Sequence, residues 1–270
     1  MITSPVKRWL TTVVGLLLLS LVIGCTADDS AEPQSDQQSG DDMMVDKLAA
    51  DSIPSLQAAL DERKQQFLES APAEMVTAFE QGVKDVAAAE VMKTAKRAGE
   101  KAPMFVLPDG NGDTVALADL LADGPVVVMW YRGGWCPYCN MQLNAMQDAL
   151  PYFDEANATL LAISPEIPDS AMSTQEQNAL GFVVLSDVGN VAAEQYGVAY
   201  ELPIVVHEKF SGRLDLGAYN TAEYATELPL AVTYIIDTDS TITWAFIDPD
   251  YRKRAEPAQV VEEIRKLNWE

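Results

Sequence analysis

Pro125-Val126-Val127-Val128-Met129-Trp130-Tyr131-Arg132-Gly133-Gly134-Trp135-Cys136-Pro137-Tyr138-Cys139 runs a bulky apolar segment of buried-strand length into two glycines and then a Cys-Pro-Tyr-Cys helix start. Leu143, Met146 and Leu150 follow at helical spacing. Cysteines at i and i+3 share one helical face, about 5–6 Å apart between β-carbons. Modest side-chain adjustment lets such a pair close into a disulfide. Cys136 falls at the helix N-terminus, where unsatisfied N–H groups and the macrodipole favour a thiolate, so it is the expected nucleophile. Cys139, one turn further in, is expected to be less exposed and to serve as the resolving thiol. Arg132 adds positive potential if its side chain turns toward the sulfur. Trp135 either offers an apolar surface to a partner or packs against the helix, and Pro137 suits the first helical position.

Two other uses of the pair compete. Half of a zinc site is one, but a structural zinc takes four ligands. The remaining cysteine is Cys25, and the single histidine, His207, has no ligand pattern beside it. A permanent structural disulfide is the other, although so small a loop contributes little chain entropy. Redox chemistry at the two sulfurs, with no metal and no further cofactor, is the expected reading. His207 reads as a satisfied loop or core residue rather than a base.

Outward from the dithiol, Thr159–Ile163 is a second buried strand, 169–180 a helix, Phe182–Leu185 a short strand and Val191–Tyr196 a helix. Met104–Leu107 and Thr114–Leu117 are short strand candidates bracketed by Pro103, Pro108, Gly110 and Gly112. Ala231–Ile236 and Thr241–Ile247 flank the turn Asp237-Thr238-Asp239-Ser240, and a last helix covers Pro257 to Leu267. Alternating strands and helices closed by a hairpin predict an α/β fold, a mixed sheet covered on both faces. The insertion from Glu201 to Glu227, with Gly212, Gly217 and Tyr219, is a candidate substrate lid whose role is not readable from the sequence. Asp248-Pro249-Asp250-Tyr251-Arg252-Lys253-Arg254 holds the densest basic cluster after the amino terminus, and reads as a solvated loop and helix start in preference to a border of the site.

Composition bounds the partners. The chain has 270 residues, 48% hydrophobic and 22% charged, which excludes a wholly disordered or collagen-like chain. Lys and Arg total 18 against 41 Asp and Glu, a net charge of −23. So acidic a surface excludes nucleic acid as the expected partner, since phosphate binding needs clustered cations. Three cysteines are too few for a disulfide scaffold.

The amino terminus reads as an export signal. Lys7 and Arg8 precede an apolar stretch, Trp9 to Ile23, of 15 residues. A spanning helix needs roughly 20, so a removed signal peptide is expected over 1–24. Val22-Ile23-Gly24-Cys25 resembles a bacterial lipobox, which implies lipidation of Cys25 and a membrane-anchored, exported chain. Thr26 in place of Asp points to the outer membrane rather than the inner. Residues 25–46 are polar and acidic, the composition of a disordered tether. Over 47–97, Leu56, Leu60, Phe67, Met75, Phe79, Val83 and Val86 recur at helical steps. Ser70-Ala71-Pro72 splits this extension into two helices, expected to pack on the edge of the domain rather than to form a coiled coil or bind a partner.

The strand–WCPYC–helix arrangement resembles the thioredoxin superfamily. Residues 98–270 more narrowly resemble its peroxiredoxin-like branch, the alkyl hydroperoxide reductase/thiol-specific antioxidant (AhpC/TSA) family, through APMFVLPDGNGDTVALADLL, VVVMWYRGGWCPYCN, LLAISPEIPDS, FVVLSDVGNVAAEQYGV, LPLAVTYIID and FIDPDYRKRAEP. The resemblance implies a thioredoxin-like fold, with Cys136 as the peroxidatic cysteine, Cys139 as the resolving one and a thioredoxin-type protein as reductant. Members of that family place a Pro seven residues and a Thr or Ser three residues before the attacking cysteine; Met129 and Gly133 stand there. Where members present a Pro or Arg beside the sulfur, this chain has Ala231, and Pro229 two residues earlier is a candidate for the cis-proline of the fold. Three functions follow: a peroxide reductase, a thiol-disulfide oxidoreductase acting on protein or small-molecule disulfides, and a non-enzymatic thiol module binding a metal or partner. The family resemblance favours the first, and the missing Pro and Thr the second.

Overall fold

Three apolar runs free of charge lie side by side at the centre of the computed structural model, which describes residues 53–267. The expected signal peptide, the lipidated Cys25 and the tether lie outside the described residues. In chain order the elements are α1 (Leu56–Ser70), α2 (Ala73–Ala88), α3 (Val91–Thr94), β1 (Val106–Pro108), β2 (Thr114–Ala116), α4 (Leu117–Asp123), β3 (Val126–Trp130), α5 (Pro137–Asp148) and α6 (Leu150–Glu155). Then follow β4 (Thr159–Ser164), α7 (Pro168–Gln177), β5 (Val183–Ser186), α8 (Val191–Gln195), β6 (Ala199–Glu201), α9 (Ile204–Phe210) and β7 (Glu227–Pro229). The hairpin β8 (Thr233–Ile236) and β9 (Ile242–Phe246) and the helix α10 (Pro257–Leu267) complete the chain.

The main sheet has the order β5-β4-β3-β8-β9. β3 pairs parallel with β4, Val126 opposite Thr159 and Trp130 opposite Ile163, and antiparallel with β8, Val126 opposite Ile236. Because strand side chains alternate, β3 feeds two cores at once. Val127, Met129 and Tyr131 meet Leu143 and Met146 of α5, Phe153 of α6 and Val260, Val261 and Ile264 of α10. Val126, Val128 and Trp130 meet Leu117 and Leu121 of α4 and Ala192 and Ala193 of α8. Every residue from Val126 to Tyr131 is fully buried, each apolar side chain contributing about 1.5–3 kcal/mol. The chain therefore leaves β3 rigidly aimed at the cysteine loop.

The helix break falls at Ser70–Pro72, and the helices on either side of it pack onto the domain beside the cysteines. Glu256, just before α10, accepts from the backbone N–H of Leu56 and Gln57 at 2.8 Å each and so caps the N-terminus of α1. Arg252 reaches Glu80 of α2. Both helices are thereby drawn across the cysteine end of the sheet. The insertion is structured: β6 and β7 form an antiparallel ribbon and α9 packs on α2. Gly82 permits that approach, since a β-carbon there would collide with Val206. No cis peptide bond occurs among the described residues, so Pro229 is trans.

Candidate active site

The turn from β3 into α5 is set by local chemistry. Gly133 takes φ +144°, a conformation that other residues rarely adopt, and a β-carbon on it would strike the Trp135 indole. Gly134 passes so close to the Thr174 hydroxyl that a β-carbon would overlap it, and its N–H donates to Glu166 Oε1 at 2.9 Å. Cys136 is then the N-cap of α5, with Pro137 at the first helical position and no acidic residue in the first turn. The Cys136 carbonyl accepts from the N–H of Cys139 at 3.0 Å and of Asn140 at 3.1 Å.

Both cysteines are free thiols. Cys136 is 2% exposed and Cys139 fully buried, in the expected order. A hydrogen bond from the Cys139 thiol is the main cause that pulls the Cys136 pKa down to about 5; burial opposes it, and the charges of Arg132 and Arg254 add to it. Burial pushes Cys139 well up, and the neighbouring Cys136 sulfur holds it there. The dithiol is thus asymmetric, a thiolate at the helix end and a thiol one turn inside.

Arg132 is buried, its guanidinium 4.3 Å from the centre of the Tyr251 ring and 5.0 Å from that of Trp135. Arg254, also buried, places Nη2 3.5 Å from Cys139 Sγ and Nη1 3.2 Å from Gln142 Oε1. Neither Arg132 nor Arg254 forms an ion pair with a carboxylate among the described residues, and the Nε of each lacks a hydrogen-bond partner. Arg252 differs: its Nε and Nη2 bind Asp250 at 2.7 and 2.9 Å, and its Nη1 binds Glu80. The preferred reading of residues 248–254 as a solvated loop is therefore corrected. Arg252 turns inward onto the Asp250 and Glu80 carboxylates, Arg254 onto the Cys139 sulfur and Gln142, and the Tyr251 ring lies against the Arg132 guanidinium.

Above Cys136 lies a pocket of about 220 Å³ walled by Phe67 of α1, Phe79 of α2, Phe210 of α9, Trp135, Tyr138 and Tyr251, with Arg63 and Arg132 on its lining. Phe67, Phe79, Phe210 and Trp135 form an edge-to-face series with ring centres 5.6–5.7 Å apart. Trp135 therefore packs into a wall shared with the insertion. His207 sits half-buried on α9.

The fold brings Cys136, Cys139, Arg132, Trp135 and Pro137 together. Sequence reasoning misses Tyr251 and Arg254 as site residues, although the basic cluster that contains them is legible in the sequence. It also misses Glu166, a fully buried carboxylate that accepts from Gly134 N–H and the hydroxyls of Tyr131 (2.9 Å), Thr174 (3.2 Å) and Ser164 (3.3 Å). No local pattern distinguishes Glu166 from a surface acid. Met129 is core, Gly133 has no side chain and Ala231 is buried; the cations near the sulfurs come from positions 132 and 254.

Residues 98–245 match the AhpC/TSA family model. The chain belongs to the AhpC/TSA family. Peroxiredoxin Bcp of Escherichia coli K12 is 29% identical over 152 residues, 56% of this chain and 86% of that protein. The chloroplastic peroxiredoxin Q of Populus jackii is 34% identical over 104 residues, 38% of this chain and 48% of that one. Among solved structures, the peroxidoxin BcpB of Mycobacterium tuberculosis superposes with a TM-score of 0.50 at 23% identity, over 63% of this chain and 97% of that one. The fold is thioredoxin-like.

Proposed function

We propose that the protein reduces peroxides through Cys136 and Cys139. The Cys136 thiolate attacks one peroxide oxygen, the O–O bond breaks, and the alcohol or water leaves with a proton, so that Cys136 becomes a sulfenic acid. Cys139 then displaces water from that sulfur to form the disulfide, which an external dithiol of thioredoxin type reduces. The chemistry uses the two sulfurs and no other cofactor. Arg132, held between Tyr251 and Trp135, places a positive charge beside the thiolate as the negative charge moves onto oxygen.

The observation that carries this reading is a Cys136 side chain only 2% exposed, lining a pocket of about 220 Å³, which admits a small peroxide far more readily than a folded protein disulfide. Family membership and the peroxiredoxins among its relatives support it. The second reading, disulfide exchange, is favoured by Met129 and Gly133, which lack the Pro and the hydroxyl that family members bring to the peroxide. The discriminating experiment mixes the reduced protein with hydrogen peroxide, an organic hydroperoxide and a model disulfide, and follows dithiol oxidation by stopped flow. Peroxide oxidation far faster than that of a free thiol and lost in Cys136→Ser is the expected result; slow peroxide reaction with rapid disulfide exchange overturns it.

The residue pattern before and at Cys25 supports an exported, lipid-anchored enzyme, with the outer membrane as its site. Metabolic labelling with palmitate should mark the chain, and Cys25→Ala should remove the label.

A further inference from the structure

Cys139 must become an anion twice in the proposed cycle, yet it is fully buried and burial opposes its ionisation. The titratable and charged groups facing it are Cys136 and Arg132 from the cysteine loop, Tyr131 at the end of β3, Tyr200 of β6, and Arg254 from the segment between β9 and α10. Only the two arginines are cations, and of these Arg254 is the one within hydrogen-bond distance of the Cys139 sulfur among the described residues, at 3.5 Å. Its position is over-determined. Nη1 rests on Gln142 Oε1, Gln142 Nε2 reaches Thr233 Oγ1 at 3.4 Å, and the Arg254 backbone N–H donates to Gln57 Oε1 of α1 at 3.3 Å. A buried guanidinium without a carboxylate is costly. Besides the neutral Gln142 carbonyl, the acceptor it faces here is sulfur.

We propose that Arg254 is a catalytic residue of the resolving thiol, holding the negative charge of Cys139 when it attacks the Cys136 sulfenic acid and again when it leaves the disulfide. In the oxidative half, Cys139 loses its proton, its sulfur bonds to Cys136, the S–O bond breaks, and hydroxide leaves with that proton as water. In the reductive half, a thiolate of the external dithiol attacks Cys136, and Cys139 departs as a thiolate against Arg254. The second donor thiol then closes the donor disulfide and frees Cys136. Once the disulfide has formed, the sulfurs are neutral and Arg254 faces no anion, so the residue favours the reduced pair.

The inference rests on the peroxidase reading, and its test separates the two. The full chain carrying Arg254→Gln is compared with Arg254→Lys and wild type in three measurements: sulfenic acid formation, the following resolution step, and equilibrium against a dithiothreitol redox buffer without peroxide. Loss of a charge-assisted hydrogen bond predicts resolution about ten- to a hundredfold slower in Arg254→Gln. Sulfenic acid formation should fall less, the longer-lived sulfenic acid should be over-oxidised to sulfinic acid at lower peroxide, and the buffer equilibrium should shift toward the disulfide. Arg254→Lys, which keeps the charge, should recover part of the rate, and the Arg254→Gln deficit should shrink at high pH, where Cys139 ionises unaided. A merely structural role would move neither the rescue nor the pH dependence. Wild-type resolution and an unshifted equilibrium in a folded Arg254→Gln protein overturn the role of Arg254; a wild type inert to peroxide that still equilibrates with the buffer overturns the peroxidase reading instead.

Discussion

Glu166→Ala should loosen the cysteine loop from behind. The carboxylate accepts four hydrogen bonds, and the two shortest, from Gly134 N–H and Tyr131 OH, are 2.9 Å each. An orphaned buried donor costs about 1–3 kcal/mol. The hydroxyls of Ser164 and Thr174 can turn to other acceptors, and removing a desolvated carboxylate returns part of the loss. The net expectation is about 2–4 kcal/mol of destabilisation for Glu166→Ala and about 1 kcal/mol for Glu166→Gln, whose carbonyl keeps Gly134 while its amide donates to the hydroxyls. Urea denaturation followed by tryptophan fluorescence measures both. The pH dependence carries a sign. Burial, the largest cause, raises the Glu166 pKa above its ordinary value, outweighing the hydrogen bonds that lower it. The folded state therefore holds this proton more tightly than the unfolded one, and wild type should lose stability relative to Glu166→Gln as pH rises through the ordinary carboxylate value and on to the raised one. A Glu166→Ala protein within about 0.5 kcal/mol of wild type, or a glutamine variant as damaged as the alanine one, would refute the reasoning.

Three further outcomes follow from the geometry. With Cys136 ionising at about 5, its alkylation rate in wild type should be flat above neutral pH and fall about tenfold per unit below that value; a midpoint above pH 7 contradicts the assignment. Phe79→Ala should cost about 1–3 kcal/mol and raise Cys136 labelling by a bulky maleimide relative to a small one, and an unchanged ratio means that Phe79 does not gate the pocket. Arg252→Gln should cost about 2–4 kcal/mol by stranding Asp250 and releasing Glu80. Burial raises the Asp250 pKa, but the Arg252 hydrogen bonds and charge lower it further, so this stability is present above the ordinary carboxylate range and lost as pH falls through the lowered value; guanidinium melts of the two proteins should converge at acid pH, and parallel curves argue against it.

The sequence by itself determined what depends on near neighbours. The uncharged run of β3, the glycine pair and the Pro-led helix placed Cys136 at a helix N-terminus, and alternation of strand and helical periods identified the α/β fold. The break at Ser70–Pro72 and the final hairpin were legible for the same reason, since turns and periodicity are local properties of the backbone. Tertiary structure decided the rest. Tyr251 and Arg254 lie more than a hundred residues from the cysteines along the chain, and whether an arginine is solvated or buried depends on which acceptors the fold delivers to it. Glu166 became a hydrogen-bond centre only because the β4–α7 turn meets the glycine loop. The pocket needed α1, α2 and the insertion to converge over one sulfur, and such convergence is set by which surfaces bury together, a free-energy difference summed over the whole chain that no single stretch of residues contains.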